Sequence, residues 1–223
     1  AVVTESTKMT TAKAHTLYAL WQAETSGFVL YPNGGQFTVP GTGNVISGAE
    51  TASTEVDTDE KYATMFDNQG LPTVCSRTGY DFAGWYRGSS VNDAMNGADA
   101  VTNDTVNTAE SGRYIAAHWT PHTYTIAFNA NQGEGTMGSM SATYDASANL
   151  SKNQFTRTGY TFLGWSKDQS ASTADYADAG EVQNLTAEDG ATVTLYAIWE
   201  ANEYTVTFEP NGENSEVTTD SKT

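Results

Sequence analysis

The chain has 223 residues, of which 10 are Lys or Arg and 27 are Asp or Glu, for a formal net charge of −17. That balance argues against nucleic acid and anionic lipid as partners, since both attract proteins through clustered cations. No apolar run approaches the ~18 residues needed to cross a bilayer, which argues against direct membrane insertion, and the lone cysteine, Cys75, excludes an internal disulfide or a multi-cysteine zinc centre.

In chain order, the first recognisable element is HTLYALW (His15–Trp21), a short alternating segment ending in Trp. FVLYPNGG (Phe28–Gly35) follows, an apolar strand running into turn residues suited to positive φ. A Gly/Thr/Ser/Glu-rich stretch over Gly35–Lys61 reads as an enlarged surface loop or hairpin. Leu71-Pro72 then leads to RTGYDFAGW (Arg77–Trp85) and RYIAAHW (Arg113–Trp119). The cycle restarts with TIAFNANQG (Thr125–Gly133), a short helix expected near Asp145–Lys152, Leu150, RTGYTFLGW (Arg157–Trp165) and VTLYAIW (Val193–Trp199). TVTFEPNGE (Thr205–Glu213) opens it once more.

Fixed spacings tie these segments into a repeat. Trp85 to Trp119 and Trp165 to Trp199 are both 34 residues, while Trp21 to Trp119 is 98 and Trp119 to Trp199 is 80. Leu30, Phe128 and Phe208 show the same two intervals, so 18 extra residues of the first copy lie between its opening segment and Arg77. The organisation is expected to be 1–24 as the tail of a preceding repeat, 25–120 as a complete repeat with an 18-residue insertion, 121–200 as a second complete repeat, and 201–223 as the opening of a further, truncated one. The chain reads as a piece of a longer array, with strand fragments at both ends expected to pair with a neighbour.

Period-two alternation makes the units mostly β. Leu195, Ala197 and Trp199 share one face against Tyr196 and Ile198, as Ile115, Ala117 and Trp119 do against Ala116 and His118. Tyr124, Ile126 and Phe128 alternate with Thr125 and Ala127, a pattern suited to a half-solvated strand. Thr78-Gly79 and Thr158-Gly159 read as the turn entering each middle strand, where Tyr80 and Phe82, or Tyr160 and Phe162, share a face. Gly84 and Gly164, set before Trp85 and Trp165, are expected at bulges that make room for an indole.

The order Y-T-V-T-F-x-x-N-G, R-T-G-Y-x-F-x-G-W, T-L-Y-A-x-W resembles the Listeria–Bacteroides repeat, the B-repeat of bacterial internalins, over essentially the whole chain. The resemblance implies an α+β, mostly β fold: tandem small β-grasp-like domains of four to five strands with a short helix, arranged linearly. It implies a secreted or wall-anchored bacterial protein, extracellular, whose repeats serve as stalk or spacer and contribute to adhesion. The partners expected are neighbouring repeats of the same chain, with host proteins or glycans beyond them. Its structural motif maps to Gly79, Tyr80, Phe82, Gly84, Trp85, Trp119, Phe128, Gly159, Tyr160, Phe162, Gly164, Trp165 and Trp199. No catalytic residue comes with it. The first repeat departs in its insertion and in Ile115-Ala116-Ala117, which marks it as the place for a specialised contact.

The remaining reactive residues read as bland. Cys75 stands where the second repeat has Phe155, so a half-buried apolar role fits it better than a nucleophile. His118 reads as a surface or interface residue, and His15 and His122 as solvated strand ends. Glu55, Asp57, Asp59 and Glu60 form the densest acidic cluster, read as a solvated loop without the spacing of a calcium loop; Asp175 with Asp178 and Glu188 with Asp189 are sparser. No motif of an enzyme or cofactor site is present, so no cofactor or metal is expected. The alternative function is a carbohydrate-binding accessory module of a surface glycosidase, with Tyr18, Tyr86, Tyr176 or Tyr196 stacking on sugar rings.

Overall fold

The computed structural model describes residues 24–108, 112–207 and the backbone of 220–222. His15, Tyr18, Trp21 and Phe208, with the tail assigned to a preceding repeat, lie outside the described residues.

In the first unit, β1 (Thr25–Tyr31) leads to β2 (Gln36–Thr38), β3 (Val45–Ser47), β4 (Ala52–Asp57), β5 (Cys75–Ser76), β6 (Tyr80–Gly88), β7 (Ala100–Val101) and β8 (Tyr114–Pro121). The second contains β9 (Thr123–Asn129), β10 (Met140–Thr143), β11 (Ala148–Asn149), β12 (Tyr160–Ser166), β13 (Glu181–Val182) and β14 (Thr192–Ala201). The main sheets have the orders β4-β1-β8-β6-β7 and β10-β9-β14-β12. In each, the opening and closing strands run parallel at the centre, β1 with β8 and β9 with β14, and every other pairing in the sheet is antiparallel.

The two hydrophobic cores share no residue. One gathers Phe28, Leu30, Phe37, Trp85, Ile115 and Ala117; the other gathers Tyr124, Ile126, Phe155, Trp165, Leu195 and Ala197. The same devices close both. The Asn33 and Asn131 side chains donate to the carbonyls of Ala117 and Ala197, at 3.0 and 2.9 Å. The Trp119 and Trp199 indoles donate to the carbonyls of Pro32 and Ala130, at 3.0 and 2.9 Å. A Cβ on Gly35 would meet the Trp119 ring at 2.2 Å, and one on Gly133 the Trp199 ring at 2.9 Å. The turn glycine and the closing tryptophan thus lie in contact, and a side chain at Gly35 or Gly133 would enter the space of the indole.

The insertion takes the hairpin form of the two expected, and it is only partly at the surface. Thr25 pairs with Asp57, 32 residues on, whereas Thr123 pairs with Thr143, 20 on, so 12 of the 18 extra residues precede β4. They supply the β2–β3 hairpin, which buries Phe37 and Val39 in the core. Phe37 sits edge-on to Trp85 at 5.2 Å and pairs with Cys75 across the small sheet. The second unit reverses the two volumes: Gly135 takes the place of Phe37, and Phe155 takes that of Cys75 and meets Trp165 at 6.1 Å. The same ring is delivered from the opposite strand. Cys75→Phe alone should therefore overpack the first core and cost roughly 1–3 kcal/mol. Combined with Phe37→Gly it should lose less than the sum of the two single changes, which a double-mutant cycle by urea unfolding would measure.

One further expectation is corrected. Asp145–Lys152 holds no helix: Asp145 has a φ of +59°, and Ala148–Asn149 pairs with Glu181–Val182 as strands. The second unit contains no helix at all, because Gly, Asn and Asp there favour turns and the segment bonds as a ribbon. The first has the six-residue helix Val91–Asn96, capped by the Ser90 hydroxyl accepting from the Asp93 N–H. The face of β9 that carries Thr125 and Ala127 is half-buried, as its alternation suggests, whereas Ala116 and Ile198 on the closing strands are fully buried. The helix lies against β6 and β8 in the first unit. In the second, Ala174–Tyr176 crosses Gly164, the residue paired with Ile198.

The chain passes from β8 into β9 through one residue, His122, and from β14 into β15 (Tyr204–Val206) through Asn202 and Glu203. β15 pairs with β16 (Asp220–Lys222) in the same chain, Tyr204 opposite Lys222, repeating the 18-residue separation of Tyr124 and Ala142. The opening fragment is a hairpin with its own partner, and no second molecule is needed to satisfy that edge. Tyr204 is nevertheless 63% exposed where Tyr124 is 2%, because no counterpart of β12 or β14 covers it among the described residues.

Candidate functional site

The Arg-Thr-Gly-Tyr sequence folds into a turn before each middle strand. The N–H groups of Tyr80 and Tyr160 donate to the carbonyls of Arg77 and Arg157, both at 3.1 Å. Gly79 and Gly159 have φ near +75° and +79°, a conformation glycine adopts without steric cost. The Arg guanidinium then lies over the Tyr ring, 3.7 Å away for Arg77–Tyr80 and 3.6 Å for Arg157–Tyr160. The motif residues thereby split into two groups. Phe82, Trp85 and Trp119 form an edge-to-face chain at 5.5 Å per step, and Phe162, Trp165 and Trp199 repeat it at 5.0 and 5.4 Å, with Phe128 4.8 Å from Trp165. Gly84 and Gly164 sit at the register shifts of β6 and β12. Gly79 and Tyr80 belong instead to a joint between the two units.

At that joint the turn after β10 meets the turn before β6. The Tyr80 hydroxyl donates to the Asp145 carboxylate at 2.8 Å, and Arg77 approaches the same carboxylate at 3.7 Å. Tyr144 packs edge-on to Tyr80 at 5.8 Å, and a Cβ on Gly79 would lie 2.3 Å from the Tyr144 ring. Asp145 is anchored in its own unit by the Asn184 amide, 2.8 Å away. That bond, and then the one from Tyr80, hold its carboxyl below the ordinary carboxylate range.

His122, read from sequence as a solvated strand end, pins the joint. Its N–H donates to the Gly79 carbonyl at 2.8 Å and its carbonyl accepts from the Tyr144 N–H at 2.9 Å. Nδ1 lies 2.7 Å from the Ala187 carbonyl and Nε2 3.2 Å from Asp81 Oδ1. Both ring nitrogens face acceptors, and only the imidazolium donates from both. The Ala187 carbonyl, and then Asp81, accordingly raise the His122 pKa above its ordinary 6.5. A raised folded-state pKa contributes stability that is complete below 6.5 and is lost as pH climbs through the folded value. Thermal unfolding followed from pH 5.5 upward should show this loss, and His122→Ala should remove it.

Elsewhere the candidate groups do not converge. Burial pushes the Cys75 thiol up to about 11, so it stays protonated and unreactive at neutral pH. His118 stacks on Tyr86 at 3.8 Å, with Nε2 2.8 Å from the Ala94 carbonyl, joining helix to sheet. Glu55 and Asp57 lie on the edge strand β4 rather than in a loop, and they line a groove with Glu60 and Asp67. Asp59 stands outside that lining, in the following turn. Asp175 accepts from the Ser166 hydroxyl, Asp178 from the Asn153 N–H and Asp189 from the Thr123 N–H, while Glu188 is exposed. Among the described residues no three His, Cys, Asp or Glu side chains are placed to hold a metal ion. Tyr86, Tyr176 and Tyr196 are each half-buried, and His118 takes one face of Tyr86. No helix among the described residues is long and apolar enough to cross a membrane.

Sequence reasoning missed the joint because Gly79 and Tyr80 read as a turn and a strand, His122 as a solvated strand end and Asp145 as the start of a helix. The available signal was the near-continuous passage from closing to opening strand, which leaves a linker too short to separate the units.

The Listeria-Bacteroides repeat domain matches the chain twice, over residues 42–107 and 124–198. A "Putative Gly-rich membrane protein" of Evansella cellulosilytica is 32% identical over 147 residues, 61% of this chain and 16% of that protein. A "Putative membrane protein" of the same organism is 27% identical over 197 residues, 88% of this chain and 24% of its own length. The chain thus spans less than a quarter of either relative. No solved structure matches it.

Proposed function

Because the chain belongs to the Listeria-Bacteroides repeat domain family, we propose that it is a non-catalytic spacer of a bacterial cell-surface protein, exposed outside the cell. The observation that carries this reading is the joint. Two separately cored units are chained strand to strand through His122 and fastened by Tyr80, Tyr144 and Asp145, a construction suited to holding distance and direction. The names of the two relatives favour a surface setting, and an array of such repeats would carry a distal part of the protein away from its anchor. Adhesion belongs to the same proposal, with host proteins or glycans as ligands of the exposed loops; binding to a panel of mucins, glycans and matrix proteins measures that part separately.

Small-angle scattering tests the spacer role. A compact globule of this length has a radius of gyration of about 17 Å. Units held in line should exceed it clearly and keep that value from low to moderate salt. A value near the compact figure would sink the spacer reading.

A further inference from the structure

We propose that Arg157, Gly159 and Tyr160 form a docking socket for the edge-strand turn of a following repeat, and that the ligand is a Tyr-Asp pair in that turn. The inference rests on the spacer reading and deepens it by naming the partner surface.

The occupied example is the joint already described. Gly79 is buried there because the Tyr144 ring covers it, and Tyr80 is half-buried between Tyr144 and Asp145. The corresponding place in the second unit is built the same way, and among the described residues nothing lies on it. The backbone of Gly159 takes the same conformation, but a Cβ added there would meet no described atom within 4 Å, and Tyr160 is 36% exposed. Arg157 is already drawn over the Tyr160 ring at 3.6 Å and held by Gln132 at 2.8 Å, so the cation and phenol stand ready before any ligand arrives.

The approach of the next unit is matched too. The Asn202 N–H donates to the Gly159 carbonyl at 2.8 Å, as the His122 N–H does to Gly79. The Asn202 side chain accepts from the Thr161 hydroxyl at 2.7 Å, where His122 meets Asp81. The β15–β16 hairpin keeps the register of β9–β10, so Lys222 stands where Ala142 does, 80 residues earlier, and a chain continuing in that register brings its next turn to the place that Tyr144 and Asp145 fill. A phenol ring on Gly159 and a carboxylate facing the Tyr160 hydroxyl and the Arg157 guanidinium complete the geometry. Such charge-assisted contacts favour a fixed angle over a free hinge.

The test lengthens the chain after Thr223 by a copy of residues 144–201, which continues the third unit in register. Gly159 Hα should then move upfield by ring current toward the position of Gly79 Hα, and Arg157→Ala in the lengthened chain should weaken that shift. A third unit that folds, judged by a dispersed indole N–H signal, while Gly159 stays where it is overturns the proposal. An independent arm uses the chain as it stands. Tyr144→Ala should release Gly79 toward the Gly159 position with both tryptophan cores intact, and an unmoved Gly79 would equally overturn it. Elongated scattering with an unshifted Gly159 leaves the spacer standing without the socket, whereas a shifted Gly159 with compact scattering does the reverse.

Discussion

Trp165→Ala should lower the stability of the second repeat by about 3–5 kcal/mol, the usual cost of truncating a large buried aromatic. Trp165 is fully buried and touches Phe128, Phe155 and Phe162, so its loss empties the centre of the core from which every strand of that sheet is held. A unit of this size has a net stability of roughly 4–12 kcal/mol, so one substitution takes much or all of it. Chemical denaturation followed by near-ultraviolet dichroism would register the loss. The substitution to Phe separates packing from hydrogen bonding. The Trp85 indole donates to the Pro72 carbonyl at 2.9 Å, while the Trp165 indole N–H has no partner among the described residues. Trp85→Phe therefore gives up a buried bond and leaves the Pro72 carbonyl with the weak Cys75 thiol donor at 3.6 Å, an added loss of about 1–3 kcal/mol. Trp165→Phe gives up only volume, so it should be the milder of the two.

Gly164→Ala should be the next most damaging change, and more so than Gly84→Ala. Both glycines lie at the bulge, with φ of +142° and +126°, where an L side chain is strained by about 1–3 kcal/mol. At Gly84 the added Cβ meets only the far edge of the Tyr86 ring, at 3.6 Å. At Gly164 it runs into the Tyr176 carbonyl oxygen at 2.4 Å and the Ala174 Cβ at 2.7 Å. Those atoms belong to a segment bonded back to Trp165 through the Tyr176 and Trp165 backbone groups, so it cannot yield without losing those bonds. Overpacking of this kind adds another ~1–3 kcal/mol. Thermal melts of the two variants give the comparison directly, and equal losses would refute the steric part of the argument.

The repeated sheet was legible because its signals are local and occur more than once. Strand alternation, the Asn-Gly turn chemistry and the 34-residue spacing between tryptophans each follow from the side-chain period of a strand or from turn geometry. Residues whose roles depend on distant partners were harder to read. Phe37 looked like loop sequence because nothing nearby reveals that Gly135 and Phe155 exchange volumes with Phe37 and Cys75. The burial of Ala116 and Ile198 could not be read from alternation, because the helix and loop covering them are set by tertiary contacts. The joint was the least legible part. Tyr80 alternates like a core residue, yet the turn at Gly79 aims it at Asp145, 65 residues away in the next unit.

Each unit is wrapped about its own tryptophan and stands by itself, and among the described residues the two meet at the joint built from Gly79, Tyr80, His122, Tyr144 and Asp145. Amide hydrogen exchange on the Trp165→Ala chain tests this most directly. Protection should collapse in the strands between 123 and 201 and persist in those between 25 and 121. Collapse across both sheets, or across neither, would contradict it.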